Sequence, residues 1–499
     1  MLEEEIVRRE KAKKLREDGV DPYPAASHRT TTAAEAAAHF DAWSAAQKTI
    51  TLAGRVRAMR VHGGAAFVDL ADESGKLQLH FKSDIVGASV FEAFTASVDH
   101  GDFIEAEGVL FLTKRGEKTL EVRTWNILSK ALLPLPEKWH GLTDVEVRYR
   151  KRHLDLIANE DVRNLFRTRS LIVRTIRDFL HGEGFMEVET PILQTQAGGA
   201  AARPFMTHHN ALDLDLQLRI APELFLKRLV VGGFEKVFEV ARCFRNEGIS
   251  FQHNPEFTQV EFYWAYATYE DLMTLTERLV SGIVAATQGG KMTVERDGVT
   301  LDFTAPYPRK KFYDLVKEGT GIDLEAVKDE ASLKAAMIDK NLKVDTKDLH
   351  GFGELVDALY KTYVRPKIVQ PAFVIDYPAE MIPLAKRKPD EPGRIATVQL
   401  LVQGIEVTKA YNELNDPLEQ EARFAEEAQK KEAGSEEAMP ADADFVEALK
   451  YGMPPTAGFG MGIDRLTALL TGAHSIKEVI LFPTLRPEQA TQDGDVDNA

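Results

Sequence analysis

The chain has 499 residues, with 62 Lys+Arg against 78 Asp+Glu, a formal charge of −16, 44% hydrophobic and 28% charged residues. At roughly 150 residues per domain that length predicts several domains with real cores, and the acidic excess argues against a generally basic nucleic-acid coat or an anionic-membrane binder. Cys243 is the single cysteine, which excludes an intramolecular disulfide and a Cys-rich zinc site; the start lacks a signal-peptide pattern and no 18 apolar residues run together, so the expectation is a reduced, cytoplasmic chain with no membrane span.

Residues 1–48 form an N-terminal helical extension: 2–17 mix Glu, Lys and Arg with Ile6, Val7 and Leu15, predicting an exposed helix stopped by Gly19, Pro22 and Pro24. Over 49–134 the runs ITLAGRVRAMRV, AAFVDLAD, KLQLHFK, DFIEAEGVL and TLEVRTWNIL, separated by turn residues, predict a small OB-fold β-barrel. The Pro-punctuated LLPLPEKWHG (132–141) lies at the start of a linker, 135–160. From Asp161 the stretch VRNLFRTRSLIVRTIRDFLHGEGF opens a second domain, 161–487. Its strand candidates are KVFEVARCF (236–244), EFTQVEFYWAY (256–266), FVIDYP (373–378) and TVQLLVQGIEV (397–407). No regular crossover helices separate them, which predicts an α+β fold on a mostly antiparallel sheet with flanking helices. Residues 308–365 read as a charged helical insertion. The acidity is local: 413–447 hold 12 acids and 3 bases, and the tail 488–499 holds four acids and no base.

Three polar constellations carry chemistry. Arg245-Asn246-Glu247-Gly248 and His253 to Tyr263 join two strands through polar and Gly/Pro residues, as a long hairpin would. Alternation then places Phe257, Gln259, Glu261 and Tyr263 on one face and Val260, Phe262 and Trp264 on the other. That polar face suits a cation and a flat ring, and Arg245 suits a phosphate or carboxylate; an ordinary solvated hairpin with Arg245 paired to Glu247 is the alternative. Glu406 at the end of an apolar strand and Glu413 seven residues later are hard carboxylates able to share Mg²⁺ with a nucleotide phosphate, or else line a solvated acidic turn. Gly458, Gly460 and Gly462 let a backbone approach a ligand closely before Arg465 opens a helix, or belong to a packed strand. Cys243 reads as packing, and His208-His209 as surface or structural.

Together the segments GFMEVETP (184–191), FRNEG…HNPEFTQVEFY (244–263) and GFGMGIDR (458–465) resemble, in order and spacing, the three signature motifs of class II aminoacyl-tRNA synthetases. HNPEFT, YNELNDP (411–417), RIAPELFLKRLVVGGFEKVFEVARCFRNEGIS (219–250), GVDPYP (19–24) and HGLTDVEVRYRKRHLDLI (140–157) resemble their lysine-specific branch. The resemblance implies an OB anticodon-binding domain and a catalytic domain that forms a homodimer through the first motif around Pro191. It implies activation of lysine by ATP to lysyl-adenylate and pyrophosphate, with Mg²⁺, then transfer to the 3′ end of tRNA(Lys). Arg245 and Arg465 are the implied catalytic residues, the first on the lysine carboxylate and α-phosphate, the second near the γ-phosphate and over adenine stacked on Phe257. Glu247, His253, Asn254 and Gly462 complete the ATP contacts, and Glu406 and Glu413 hold Mg²⁺. Gly199 and Glu223 surround the α-amino group; Glu261, Tyr263, Asn415 and Glu419 take the side chain; Phe67 and Gln78 read the anticodon.

A buried ammonium needs carboxylates and acceptors around it, which supports lysine over aspartate. Two positions depart from the resemblance: Lys409 stands where Asn is usual, and Ile382 where Ser is usual. The competing readings are an aspartate- or asparagine-charging sister enzyme, a lysine-transferring paralogue acting on protein, and a non-catalytic RNA-binding descendant.

Overall fold

In the computed structural model the chain divides into two units, Met1–Thr143 and Asp144–Ala499. The structure describes residues 3–135, 142–251, 253–327, 329–345, 349, 351–432, 439 and 441–487. The end of the 132–141 segment and the acidic tail 488–499 lie outside them. Among the described residues no helix is long and apolar enough to cross a membrane.

In the first unit, strands β1 (Thr49–His62), β2 (Ala65–Ala71), β3 (Lys76–Lys82), β4 (Phe103–Leu112) and β5 (Lys118–Ser129) close a barrel in the order β1-β2-β3-β5-β4. Alternation sends Val56, Val68, Leu79, Ile104, Leu120 and their like inward, so every second side chain of each strand fills the interior. The preceding segment is no loose extension. Ala33, Ala36 and Phe40 join the barrel core. The Glu3–Glu17 helix buries Arg8, Ala12 and Leu15, and the Arg8 guanidinium donates to His100 O at 3.0 Å and Ala131 O at 3.2 Å. The expected exposed helix therefore has a packed face.

The second unit is built on an eight-stranded sheet of β6 (Met186–Glu187), β7 (Lys236–Phe244), β8 (Glu256–Ala265), β9 (Arg309–Lys311), β10 (Ala372–Ile375), β11 (Thr397–Val402), β12 (Ile405–Asn412) and β13 (Thr456–Gly462). The strand order is β9-β10-β11-β12-β13-β8-β7-β6, antiparallel except at the edges, where β6 runs parallel to β7 and β9 to β10. One face packs on the Glu160–Gly182 and Tyr269–Thr287 helices through Ile172, Ile176, Val260, Phe262, Leu279 and Phe459. The other face carries a second core and the polar site.

Three expectations change. The apolar run 397–407 is two strands, turned at Gln403 and Gly404, which both have positive φ (48° and 67°), the geometry of a tight hairpin turn. Residues 308–365 are no insertion. Arg309–Lys311 is the edge strand, and Phe312, Val316, Leu333, Leu355 and Leu359 pack with Tyr263 and Leu224 in one core. Most of the 135–160 linker belongs to the second unit, since Arg152 is buried and donates to Leu481 O at 3.0 Å and Lys477 O at 3.1 Å.

Two buried polar clamps tie the sheet to the segments around it. Arg219 reaches Glu239 on β7 at 2.5 Å and Arg242 O at 2.7 Å, while Thr190 donates to Glu239 at 2.7 Å. Asp464 accepts from Thr258 N on β8 at 2.9 Å and meets Arg169 of the Glu160–Gly182 helix at 2.5 Å. Removing one partner of a buried pair strands the other charge. Glu239→Ala is therefore expected to destabilise the second unit by about 3 kcal/mol in urea unfolding; a loss below about 1 kcal/mol would show the clamp to be incidental.

Candidate active site

The site lies on the face of the sheet formed by β8, β13 and β12. Register sets Glu261 beside Gly460 and Tyr263 beside Gly458, with Lys409 and Tyr411 on the far side of the same two glycines. The alternating glycines leave the floor without side chains where the carboxylates cross it. A Cβ on Gly458 would lie 1.9 Å from Glu413 Oε1 and 2.6 Å from Tyr263. That close approach is the reason for glycine there.

A β-bulge in β12 sets which residues share this face. Leu400 pairs with Thr408 and Leu401 with Glu406, leaving Val407 extra. In a regular strand Glu406 and Glu413, an odd seven residues apart, would point to opposite faces; the extra residue restores them to one. It does not bring them together. At a strand's rise the two stand about 20 Å apart, at opposite ends of β12. The expected shared metal site of Glu406 and Glu413 is thus corrected: each belongs to a different end of the site. Among the described residues no group of three or more His, Cys, Asp or Glu is placed to hold a metal ion.

The Glu413 end is a buried carboxylate cluster. Glu223, Glu261 and Glu413 are 5%, 7% and 1% exposed. Lys227 Nζ lies 2.6 Å from Glu223 Oε1 and also pairs with Glu413. Tyr411 donates to Glu223 at 2.9 Å. Among the described residues Glu261 has no cation in contact: it accepts from Gln259 at 2.7 Å and from Tyr263 at 3.2 Å. Burial, then Glu223, pushes its carboxyl up to about 8. Burial likewise raises Glu413, against the pull of Lys227, and holds Tyr263 and Tyr411 neutral as donors. Gly199 backs on this end, where a Cβ would stand 2.8 Å from that of Glu223.

The Glu406 end is cationic. Burial pushes Glu406 up, but Lys409, then Arg465, Arg365 and Lys361, overcome this and hold it below the usual carboxylate value. Burial lowers Arg465, and Arg365 and Arg245 lower it further, so three guanidiniums share one field. Arg465 also approaches His253 Nε2 at 3.5 Å. Burial and Arg465 hold His253 below its usual value. Arg245 Cζ sits 5.0 Å over the Phe257 ring, and its buried Nε finds no partner among the described residues. Asn254 likewise keeps a buried, unpartnered Oδ1. An unsatisfied buried donor on Arg245 beside clustered cations suits a polyanion, the Phe257 ring a flat partner, and the free Asn254 oxygen a donor such as an amino group.

Of the other expected residues, Glu247 is exposed at the rim and Gly462 carries the Arg465 side chain beside its Cα. Asn415 is committed to the chain itself, accepting from Lys386 at 2.5 Å and donating to Met453 O at 3.0 Å. Glu419 pairs with Arg423 at 2.5 Å and Arg387 at 3.4 Å. Neither joins the carboxylate cluster. Lys227 and Tyr411, which do, escaped the sequence reading; the four-residue spacing of Glu223 and Lys227 on one helix was the available signal. Cys243 is buried, with Gln259 3.2 Å from its sulfur and its thiol pushed up to about 12 by burial. His208 pairs with Asp215 at 2.8 Å on the surface. Pro191 is exposed, followed by Ile192 and Leu193 at 43% and 50% exposure.

On the barrel, Phe67 and Gln78 share the outer face. Phe67 stacks on His80 with centroids 4.3 Å apart and planes within 5°, and His80 lies 5.8 Å from Phe111. Thr119 donates to Gln78 at 3.0 Å.

Residues 144–486 match the family described as tRNA synthetases class II (D, K and N), and residues 50–128 match the OB-fold nucleic acid binding domain. The chain is similar along nearly its whole length to proteins named lysine–tRNA ligase. That of Pelotomaculum thermopropionicum is 47% identical over 97% of this chain and 95% of its own. That of Carboxydothermus hydrogenoformans is 48% identical over 96% and 97%, and that of Roseiflexus castenholzii 48% identical over 96% and 98%.

Proposed function

The chain belongs to the class II tRNA synthetases, in the lysine–tRNA ligase family, and from that premise we propose that the carboxylate end binds lysine by its two ammonium groups while the cationic end binds ATP. The observation that carries this reading is the charge count at the closed end. Three buried carboxyl groups face one ammonium, Lys227, so two of them lack a cationic partner. Lysine supplies two ammoniums; its carboxylate falls to Arg245. An amino acid with one ammonium leaves a buried carboxylate uncompensated, at a cost of several kcal/mol or a bound proton.

With lysine and ATP so placed, the lysine carboxylate oxygen attacks the α-phosphorus, the bond to pyrophosphate breaks, and lysyl-adenylate forms; the tRNA 3′ hydroxyl then displaces AMP. Arg245, with its free Nε, meets the charge that grows on the α-phosphate oxygens, and Arg465, Arg365 and Lys361 meet the leaving pyrophosphate. Glu406 would hold a Mg²⁺ carried by ATP, which would neutralise phosphate charge, and Glu413, at the other end of β12, would take no part in that. Phe67 and His80 offer stacking surfaces, and Gln78 a polar edge, for unstacked anticodon bases. The exposed Pro191–Leu193 segment suits the homodimer contact, and the proposed role is that of a cytoplasmic enzyme of translation.

ATP–pyrophosphate exchange with each of the twenty amino acids is expected to respond to lysine alone. A comparable response to aspartate or asparagine favours the sister enzymes, and silence throughout favours a non-catalytic descendant.

The raised carboxyl of Glu261 gives the pH dependence a sign. A carboxyl near 8 is protonated in the free site at pH 7 and must ionise to receive an ammonium, so lysine affinity rises with pH through about 8. The KM for lysine is expected to fall severalfold between pH 6.5 and 8.5, roughly in step with ionisation, while the KM for ATP stays flat. A flat lysine KM would place the ionised carboxylate elsewhere.

A further inference from the structure

Lys227 is the one group of the closed end that the reaction itself does not use. It is a fully buried cation on the Glu223–Val231 helix, its side chain 0% exposed, bridging Glu223 on its own helix and Glu413 beyond the end of β12. Aromatic rings of Tyr411 and Phe445 lie 5.8 Å from its ammonium, and its side chain has no solvent exposure. Ordinary helix packing would place an apolar residue at such a position, as it does at Leu224, Leu226 and Val230.

Resting on the lysine reading above, we infer that Lys227 is a specificity-determining positioning residue, an internal ammonium that reduces the three-carboxylate pocket to a charge that two ligand ammoniums complete. The groups facing it are Glu223, Glu413, Tyr411 and Phe445, with Glu261 and Tyr263 across the floor. The two tyrosines stay neutral, so the count rests on three carboxylates and one ammonium. Without Lys227 a lysine ligand leaves one carboxylate unpaired. Without Glu413 it leaves one ammonium in excess. Removing both restores a pocket of two carboxylates for two ammoniums. Lys227 touches neither reacting atom; it acts by fixing how many charges the pocket has left.

The test is a double-mutant cycle in full-length protein, read as KM and kcat in ATP–pyrophosphate exchange with lysine. Lys227→Met and Glu413→Gln are each expected to raise the lysine KM at least about tenfold, with the ATP KM changed by less than about threefold. The pair together is expected to recover to within about fivefold of wild type. A double variant as impaired as the worse single, or a Lys227→Met with unchanged lysine KM, overturns the proposal. Wild-type exchange with lysine is the control that separates this failure from failure of the lysine reading.

If Lys227→Met does not fold, calorimetry of lysine binding to wild type in buffers of different ionisation heat decides the count. Release of one to two protons at pH 7 supports it, because burial holds Glu261 and Glu413 above the usual carboxylate value and each gives up its proton to receive an ammonium. Release of none, or of three, overturns it.

Discussion

Carboxylates buried without enough cations to match them are the constraint on which the rest of this structure depends. Burying Glu223, Glu261 and Glu413 beneath one sheet costs several kcal/mol per charge unless each finds a partner, and the chain supplies Lys227 for only part of that need. Such a pocket is held in place only by a rigid frame. The glycines of β13 make room for the carboxylates, the Arg219–Glu239 and Arg169–Asp464 clamps hold the surrounding segments, and two apolar cores fix the sheet from both faces. The unmatched charge stored there is the affinity available to a dicationic ligand.

The other end of the face follows the opposite rule. Lys361, Arg365, Lys409 and Arg465 act on Glu406, Arg365 and Arg245 act on Arg465, and guanidiniums that share one field repel unless an anion joins them. The sheet thus separates a site short of positive charge from one with an excess of it. On the proposed reading a molecule with ammoniums meets one and a polyphosphate the other, and Arg245 takes the reacting groups of both. The overall charge of −16 says little about this arrangement, because the distribution matters and the sum does not.

Much of the fold was legible because strand alternation is a strong signal. All five barrel strands and both motif-bearing strands β7 and β8 fall within a residue or two of their expected limits, and the face carrying Phe257, Glu261 and Tyr263 is the face observed. What failed had a physical reason. The Gln403–Gly404 turn hides inside an apolar run, because β11 is buried along its whole length and shows no alternation. With that turn unread, the expected strand ends near Glu406, whereas β12 runs on to Asn412 and carries Glu413 to its far end. Asn415 and Glu419 follow the right motif but point into other bonds, with Lys386, Arg423 and Arg387. Lys227 was passed over because a lysine on a helix reads as solvated; only the packing shows it buried.

The central claim is that unmatched charge, more than shape, selects the ligand. The most direct measurement is inhibition of lysine-dependent ATP–pyrophosphate exchange by norleucine, which keeps the chain length of lysine and lacks its side-chain ammonium. At pH 8.5, where Glu261 is ionised, the charge count predicts no inhibition at about a hundredfold excess over the lysine KM, since norleucine leaves a buried carboxylate without a partner. Competition by norleucine within about tenfold of the lysine KM would mean that the pocket reads shape, and would contradict the account.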